Sequence, residues 1–180
     1  MRGICNNEAL FKEAYFSQFP GLYFSGDEAF FDKDGYYRIT GRVDDVIKVS
    51  GHRLGTAEIE DAINKTDLVI ESAVVGYPHH IKGEALCAFV VANIDFNEQS
   101  ECDELKSKII NNVAKMISPI AKPDVVQFVS ALPKTNSGKI LRRCLRKIAA
   151  VDLENLGDTS TLVNPSVVNQ IVKRWKKNIN

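Results

Sequence analysis

The chain has 180 residues, 44% of them hydrophobic and 26% charged, the balance of a soluble globular protein with room for one ordinary domain plus an appendage. Its 23 basic and 23 acidic residues cancel, so no global field draws it to nucleic acid or an acidic membrane, and any basic function must be local. Nothing reads as a signal peptide or a membrane-spanning run. Cys5, Cys87, Cys102 and Cys144 show no CxxC pairing, and His52, His79 and His80 have no partners at zinc spacing, which implies reduced thiols, a cytoplasmic setting and no metal site.

Residues 1–20 carry Leu10, Phe11, Tyr15, Phe16 and Phe19 at irregular spacing, with no convincing cap or turn at the start, and read as the interior of something larger, a truncated piece. Residues 23–31 and 36–40 are aromatic and β-branched runs around Asp32-Lys33-Asp34-Gly35, a hairpin signature. A calcium loop is excluded, because the register that puts Gly35 sixth begins at Phe30, where a carboxylate is needed. Residues 40–60 then pack two arginines, an acidic pair and three glycines into one stretch, which reads as a hinge running into a mobile lid.

After the hinge, Thr56 is the expected N-cap of a helix with Ile59, Ala62 and Ile63 on its apolar stripe. Residues 70–76 and 85–92 are strands, joined closely enough to pair antiparallel. Ser100 is expected to cap a helix with Leu105, Ile109, Val113, Met116 and Ile117 at helical spacing, until Ser118-Pro119 stops it. Residues 125–129 form a third strand, 140–149 a basic helix, and Asn164-Pro165 opens a last helix lined by Val168, Ile171, Val172 and Trp175. The fold class is therefore α+β: a small, mostly antiparallel three-stranded sheet flanked by helices and preceded by a β-hairpin remnant, divided into residues 1–43 and 44–180.

Several polar residues carry possible chemistry. Lys139, after Ser137-Gly138 on a turn-rich loop, is a long cation that a phosphate could meet; the plain alternative is a solubilising loop lysine. A Walker A motif is excluded, since the first glycine is absent and Ile140 stands where a hydroxyl belongs. Asp27, at a strand end, is placed to accept the hydroxyls of a ribose or to cap a turn. Arg42 offers a forked donor to ribose or phosphate oxygens, or an ion pair with Asp44 or Asp45, and Arg53 is either a phosphate contact or a solvated side chain. Arg142, Arg143, Arg146 and Lys147 read mainly as a solvated face, with a ligand phosphate or an acidic domain rim as the lesser reading.

The segments YFSGD, GRVDDVIKVSGHRLGTAEIE, AVVGYPHHIKGEA, LPKTNSGKILRR and NLGDTSTL resemble the adenylate-forming enzymes over residues 15–162, and within them the AMP-forming acetyl-CoA synthetases. The resemblance implies that residues 1–43 are the tail of a large N-terminal adenylation domain and residues 44–180 its C-terminal lid. The implied reactions are acetate plus ATP to acetyl-AMP and pyrophosphate, then transfer of the acetyl group to coenzyme A with release of AMP. Lys139 matches the family's catalytic lysine; Asp27, in the (Y/F)xTGD motif with Ser25 replacing threonine, and Arg42 match its nucleotide-binding residues. Arg53 matches a phosphate contact in one domain orientation, Asp44 the pivot, and Ser50, Gly51 and His52 the CoA pantetheine tunnel. Lys115 stands beside Ala114 where the family carries an Arg-Lys pair for the CoA nucleotide.

Cofactors implied are ATP or AMP and coenzyme A, with magnesium entering on ATP and held mainly by the absent domain. The implied partners are that N-terminal domain, the substrates, and a lysine acetyltransferase and deacetylase acting on Lys139; a eukaryotic source would make the setting nucleocytoplasmic. The chain alone is expected not to turn over. Alternatives are a lid for a propionyl- or other short-chain acyl-CoA ligase, or a stand-alone nucleotide- or CoA-binding module.

Overall fold

A computed structural model describes residues 2–96, 98–154 and 156–179, so Asn155 of the NLGDTSTL segment lies outside the described residues. The chain divides into two compact units, Met1–Asp44 and Asp45–Asn180. No described helix is long and apolar enough to cross a membrane.

In the first unit, helix α1 spans Glu8–Phe16 and has the cap that the sequence did not advertise: Asn7 Oδ1 accepts from Leu10 N at 3.0 Å. Strands β1 (Asp27–Phe31) and β2 (Tyr37–Arg42) pair antiparallel, as the hairpin pattern requires. Asp32 Oδ1 accepts from both Asp34 N and Tyr36 N, which holds the connecting turn.

The second unit is a sheet with helices on both faces. Its elements are β3 (Val46–Val49), β4 (His52–Gly55), α2 (Thr56–Asn64), β5 (Val69–His79), β6 (Gly83–Ala92), α3 (Gln99–Met116), β7 (Val125–Phe128), α4 (Arg142–Ala149) and α5 (Ser166–Ile179). The order is β4-β3-β6-β5, with β7 joined to β6 in parallel, so the sheet has five strands. The three expected strands are there as β5, β6 and β7, and the glycine-rich stretch adds two more. Val49 pairs with His52 across Ser50 and Gly51, whose φ values of 49° and 85° suit a two-residue primed turn. Ile47 and Val49 are buried, so the downstream half of the residue 40–60 stretch is a packed hairpin.

Strand β6 explains why the sheet can be covered on both sides. Leu86, Ala88 and Val90 face one core with Ile59, Ile63, Leu105, Ile109 and Val113. Cys87, Phe89 and Val91 face the other, with Leu145, Ile148, Val168, Ile171 and Trp175. Strand alternation therefore buries both faces of a continuous apolar run.

Details of the helix ends differ from the sequence expectation. Gly55 and Glu98 occupy the cap positions of α2 and α3, with no side-chain cap bond, while Thr56 lies inside α2 and is buried. Ser100 likewise falls inside its helix. Met116, the last residue of α3, is 45% exposed, whereas Val113 three residues before it is buried.

Candidate functional sites

In the first unit, strand pairing brings Asp27 and Arg42 together, because the first residue of β1 is the register partner of the last residue of β2. Arg42 Nη1 lies 3.6 Å from Asp27 Oδ1, and Arg42 Nε donates to Asp44 Oδ1 at 3.0 Å. Gly26 has φ +79°, and a Cβ there would stand 3.1 Å from Arg42 Nη2, so this glycine leaves the guanidinium its place. Asp27 N donates to Ser25 Oγ, and the carboxylate is turned to Arg42 rather than to a turn amide. A carboxylate acceptor beside guanidinium donors, both partly exposed, is a surface suited to a vicinal diol. The ion pair named as the plain reading of Arg42 does form, with Asp44.

The second unit presents two further surfaces, at opposite ends of β5. At one end, Ser50 N donates to Lys82 O at 3.0 Å, and Val49 pairs with Gly83, so the Ser50-Gly51 tip lies against the β5–β6 turn. In that turn the rings of His79 and His80 stack at 4.8 Å, and His79 Nδ1 accepts from Ile81 N and Lys82 N. A Cβ added at Gly51 would meet nothing within 4 Å, and His52 and Arg53 are exposed beside it, Arg53 in register with Lys48. Lys115 is exposed near the end of α3.

At the other end, Lys134 Nζ pairs with Glu71 Oε2 at 2.5 Å and starts the loop that carries Lys139. Lys134 and Ile140 form a bridge, Thr135 N donates to Lys139 O at 2.9 Å, and Gly138 N donates to Thr135 O at 2.8 Å. The loop is thus a closed turn rather than a free tether. The exposed Lys139 side chain makes no ion pair among the described residues. Glu71 and His79 are eight residues apart on β5, about 26 Å at the usual strand rise. The Lys134–Glu71 pair beneath the Lys139 loop and the His79–His80 turn beside Ser50-Gly51 therefore mark opposite ends of β5.

The basic helix is the main correction. It starts at Arg142 rather than residue 140, and its charges are engaged rather than merely solvated. Arg142 Nη2 reaches Glu60 Oε1 and Oε2 at 2.6 and 2.7 Å, and Glu60 Oε1 also accepts from Val74 N at 2.8 Å. Arg146 is bonded to Asp45, whose other oxygen is 3.9 Å from Arg142 Nε. Arg143 donates to Asp158 O, and Lys147 lies 3.8 Å from Asp152. Burial raises the Glu60 carboxyl above its ordinary range, against the opposing pull of the Val74 amide and Arg142. Arg142 and Arg146 are thus paired with carboxylates, whereas Arg143 is exposed and bonds a backbone carbonyl. The missed signal was the four-residue spacing of Arg142 and Arg146, which puts both on one side of a helix.

A cavity of about 360 Å³ between β7, the start of α3 and Arg174 contains none of these candidate residues. Cys87 and Cys144 are buried thiols, pushed up by burial and inert for that reason.

Residues 58–139 match the family described as AMP-binding enzyme C-terminal domain. The acetyl-coenzyme A synthetase of Syntrophobacter fumaroxidans is 54% identical over 173 residues, 96% of this chain and 26% of that protein. The chain therefore spans about a quarter of the length of the curated relatives it matches. Among solved structures, an ATP-bound RpMatB-BxBclM chimera superimposes with a TM-score of 0.68 at 31% identity, covering 81% of this chain and 28% of the other. The anthranilate CoA ligase AuaEII in complex with anthranoyl-AMP gives 0.68 at 30% identity, covering 82% and 27%.

Proposed function

We propose that the chain, whose residues 58–139 match the AMP-binding enzyme C-terminal domain family, is the C-terminal lid of an AMP-forming acetate–CoA ligase. The 54% identity to an acetyl-coenzyme A synthetase across 96% of the chain carries this reading, and it favours acetate over longer acyl groups. Residues 1–43 would be the end of the adenylation domain, and residues 44–180 the part that moves.

In the first half-reaction an acetate oxygen attacks the α-phosphorus of ATP; the new C–O–P linkage forms acetyl-AMP and the bond to pyrophosphate breaks. Lys139 supplies an ammonium where negative charge concentrates on the α-phosphate, while Asp27 and Arg42 hold the ribose. In the second, the CoA sulfur, having lost its proton, attacks the acetyl carbonyl and AMP leaves. Ser50, Gly51 and His52 line the pantetheine path, Lys115 faces the CoA nucleotide, and Arg53 meets phosphate. The attachment of the Lys139 loop and of the Ser50-Gly51 tip at opposite ends of β5 supports a turn of the lid about Asp44 between the two steps. Magnesium enters with the ATP phosphates and is held chiefly by residues beyond this chain; among the described residues no three His, Cys, Asp or Glu side chains gather as a metal site. Acetylation of the exposed Lys139 would remove the required charge, which makes an acetyltransferase and a deacetylase fitting partners in the cytoplasm or nucleocytoplasm.

The test is reconstitution. The chain is mixed with a separately expressed N-terminal portion of such a ligase, and acetate-dependent pyrophosphate release and acetyl-CoA formation are followed. Activity that requires both pieces and Lys139 supports the reading; silence from two folded pieces argues against it.

A further inference from the structure

Two neighbouring carboxylates face two different sets of arginines. Asp44 is held by Arg42 within Met1–Asp44, through side chains 66% and 53% exposed, so water screens the pair and the hold is weak. Asp45 is held by Arg146, with Arg142 close by, within Asp45–Asn180, and its side chain is only 17% exposed. That downstream hold is screened far less.

The firm side leads to Lys139. Arg142 and Arg146 lie one turn apart on α4, whose first residue comes three positions after Lys139. Arg142 forks onto Glu60, which in turn accepts from Val74 N on β5. Leu141 N donates to Pro133 O at 2.8 Å, closing the base of the lysine loop, and Lys134 fastens its other side to Glu71. A continuous run of charge-assisted contacts and backbone bonds connects residue 45 to the base of the Lys139 loop.

We propose that Asp45 is a positioning residue: through Arg146 and Arg142 it fastens the downstream end of the hinge to α4, so that rotation at residue 44 carries Lys139 as part of one body. The inference rests on the reading of Asp44 as pivot and Lys139 as the ammonium of the adenylation step. Asp45 touches no reacting atom in that scheme. It denies the chain a second flexible point. Without it, rotation would reach past residue 44 to residue 45 and the entry to β3, and the ammonium would arrive loosely; misplacement by about 1 Å costs on the order of 100-fold in rate.

Hydrogen exchange on the 180-residue chain tests the clamp directly. In Asp45→Ala, the amides of residues 46–49 and of Thr135, Gly138 and Leu141 are expected to exchange about tenfold faster, while those of 86–90 hold their rates. Asp45→Glu keeps a carboxylate within reach and restores protection. Unchanged exchange in the lysine loop, or an equal rise in β6, overturns the proposal, the latter because it reports general loosening. Should Asp45→Ala fail to fold, Arg146→Gln gives the same pattern from the other partner. In the reconstituted mixture, Asp45→Ala lowers pyrophosphate release more than acetyl-CoA formation from supplied acetyl-AMP; an equal loss in both counts against the clamp. A wild-type mixture without activity would defeat the ligase reading, whereas the exchange pattern decides the clamp alone.

Discussion

Lys139 illustrates how a single charge is presented. The bridge between Lys134 and Ile140 and the Thr135–Gly138 turn fix its backbone, and its side chain remains exposed. Lys139→Ala in the reconstituted enzyme is expected to slow acetate-dependent pyrophosphate release by about 100- to 1000-fold, the usual cost of removing one preorganised electrostatic donor. Acetyl-CoA formation from supplied acetyl-AMP should change far less; equal losses in both steps would reject the assignment. Glu60 presents the opposite case, a charge taken out of water. Because burial raises its folded-state affinity for a proton above that in the unfolded chain, the folded form binds more protons across that interval. Its contribution is therefore most favourable when protonated, and stability falls as pH rises from the ordinary glutamate range through the raised folded value. Denaturant titrations of wild type and Glu60→Gln should show wild type losing ground to the variant over that interval, and a gain instead would mean that Arg142 outweighs burial.

At the scale of elements, the β3–β4 hairpin and helix α4 are where residue patterns misled. Glycines and charges in residues 40–60 argued for freedom, yet three of the four residues of β3 are apolar, and Ile47 packs so close to β5 that a Cβ on Gly76 would lie 2.9 Å from Ile47 Cγ2. Gly76 marks a close approach between strands. Gly76→Ala is expected to destabilise the fold by about 1–3 kcal/mol through overpacking, measured by urea unfolding, and a neutral effect would show that the hairpin can shift. The YFSGD and GRVDD segments were legible in part: alternation and a turn signature announced the β1–β2 hairpin, and its register then brought Asp27 to Arg42. The Asp45 and Glu60 contacts with α4 were not legible, because Arg142 lies 82 residues from Glu60 and Arg146 lies 101 residues from Asp45.

Across the whole molecule, the sheet of Asp45–Asn180 is the common support on which the Lys139 and Gly51 surfaces are held apart. Phe89 is fully buried at its centre, 5.8 Å from the Trp175 ring. Phe89→Ala should cost about 3–5 kcal/mol of stability, seen as a lower urea midpoint, and a change below 1 kcal/mol would show that α5 collapses into the space. The apolar run of β6 announced a strand buried on both faces, and the stripes of α2, α3 and α5 announced helices to cover it. Strand number did not follow from such runs, since β3 and β4 are only four residues each and both carry charged or polar positions.

Periodicity, turn residues and motif wording sufficed for the α+β class, the principal strands and helices, and the candidate residues Asp27, Arg42 and Lys139, because each depends on neighbours within a few positions. Sheet width, the placing of Lys139 and Gly51 at opposite ends of β5, and the neutralisation of α4 by Asp45 and Glu60 depended on segments distant in sequence. Burial and ion pairing act through space, and only the folded chain brings those partners within range.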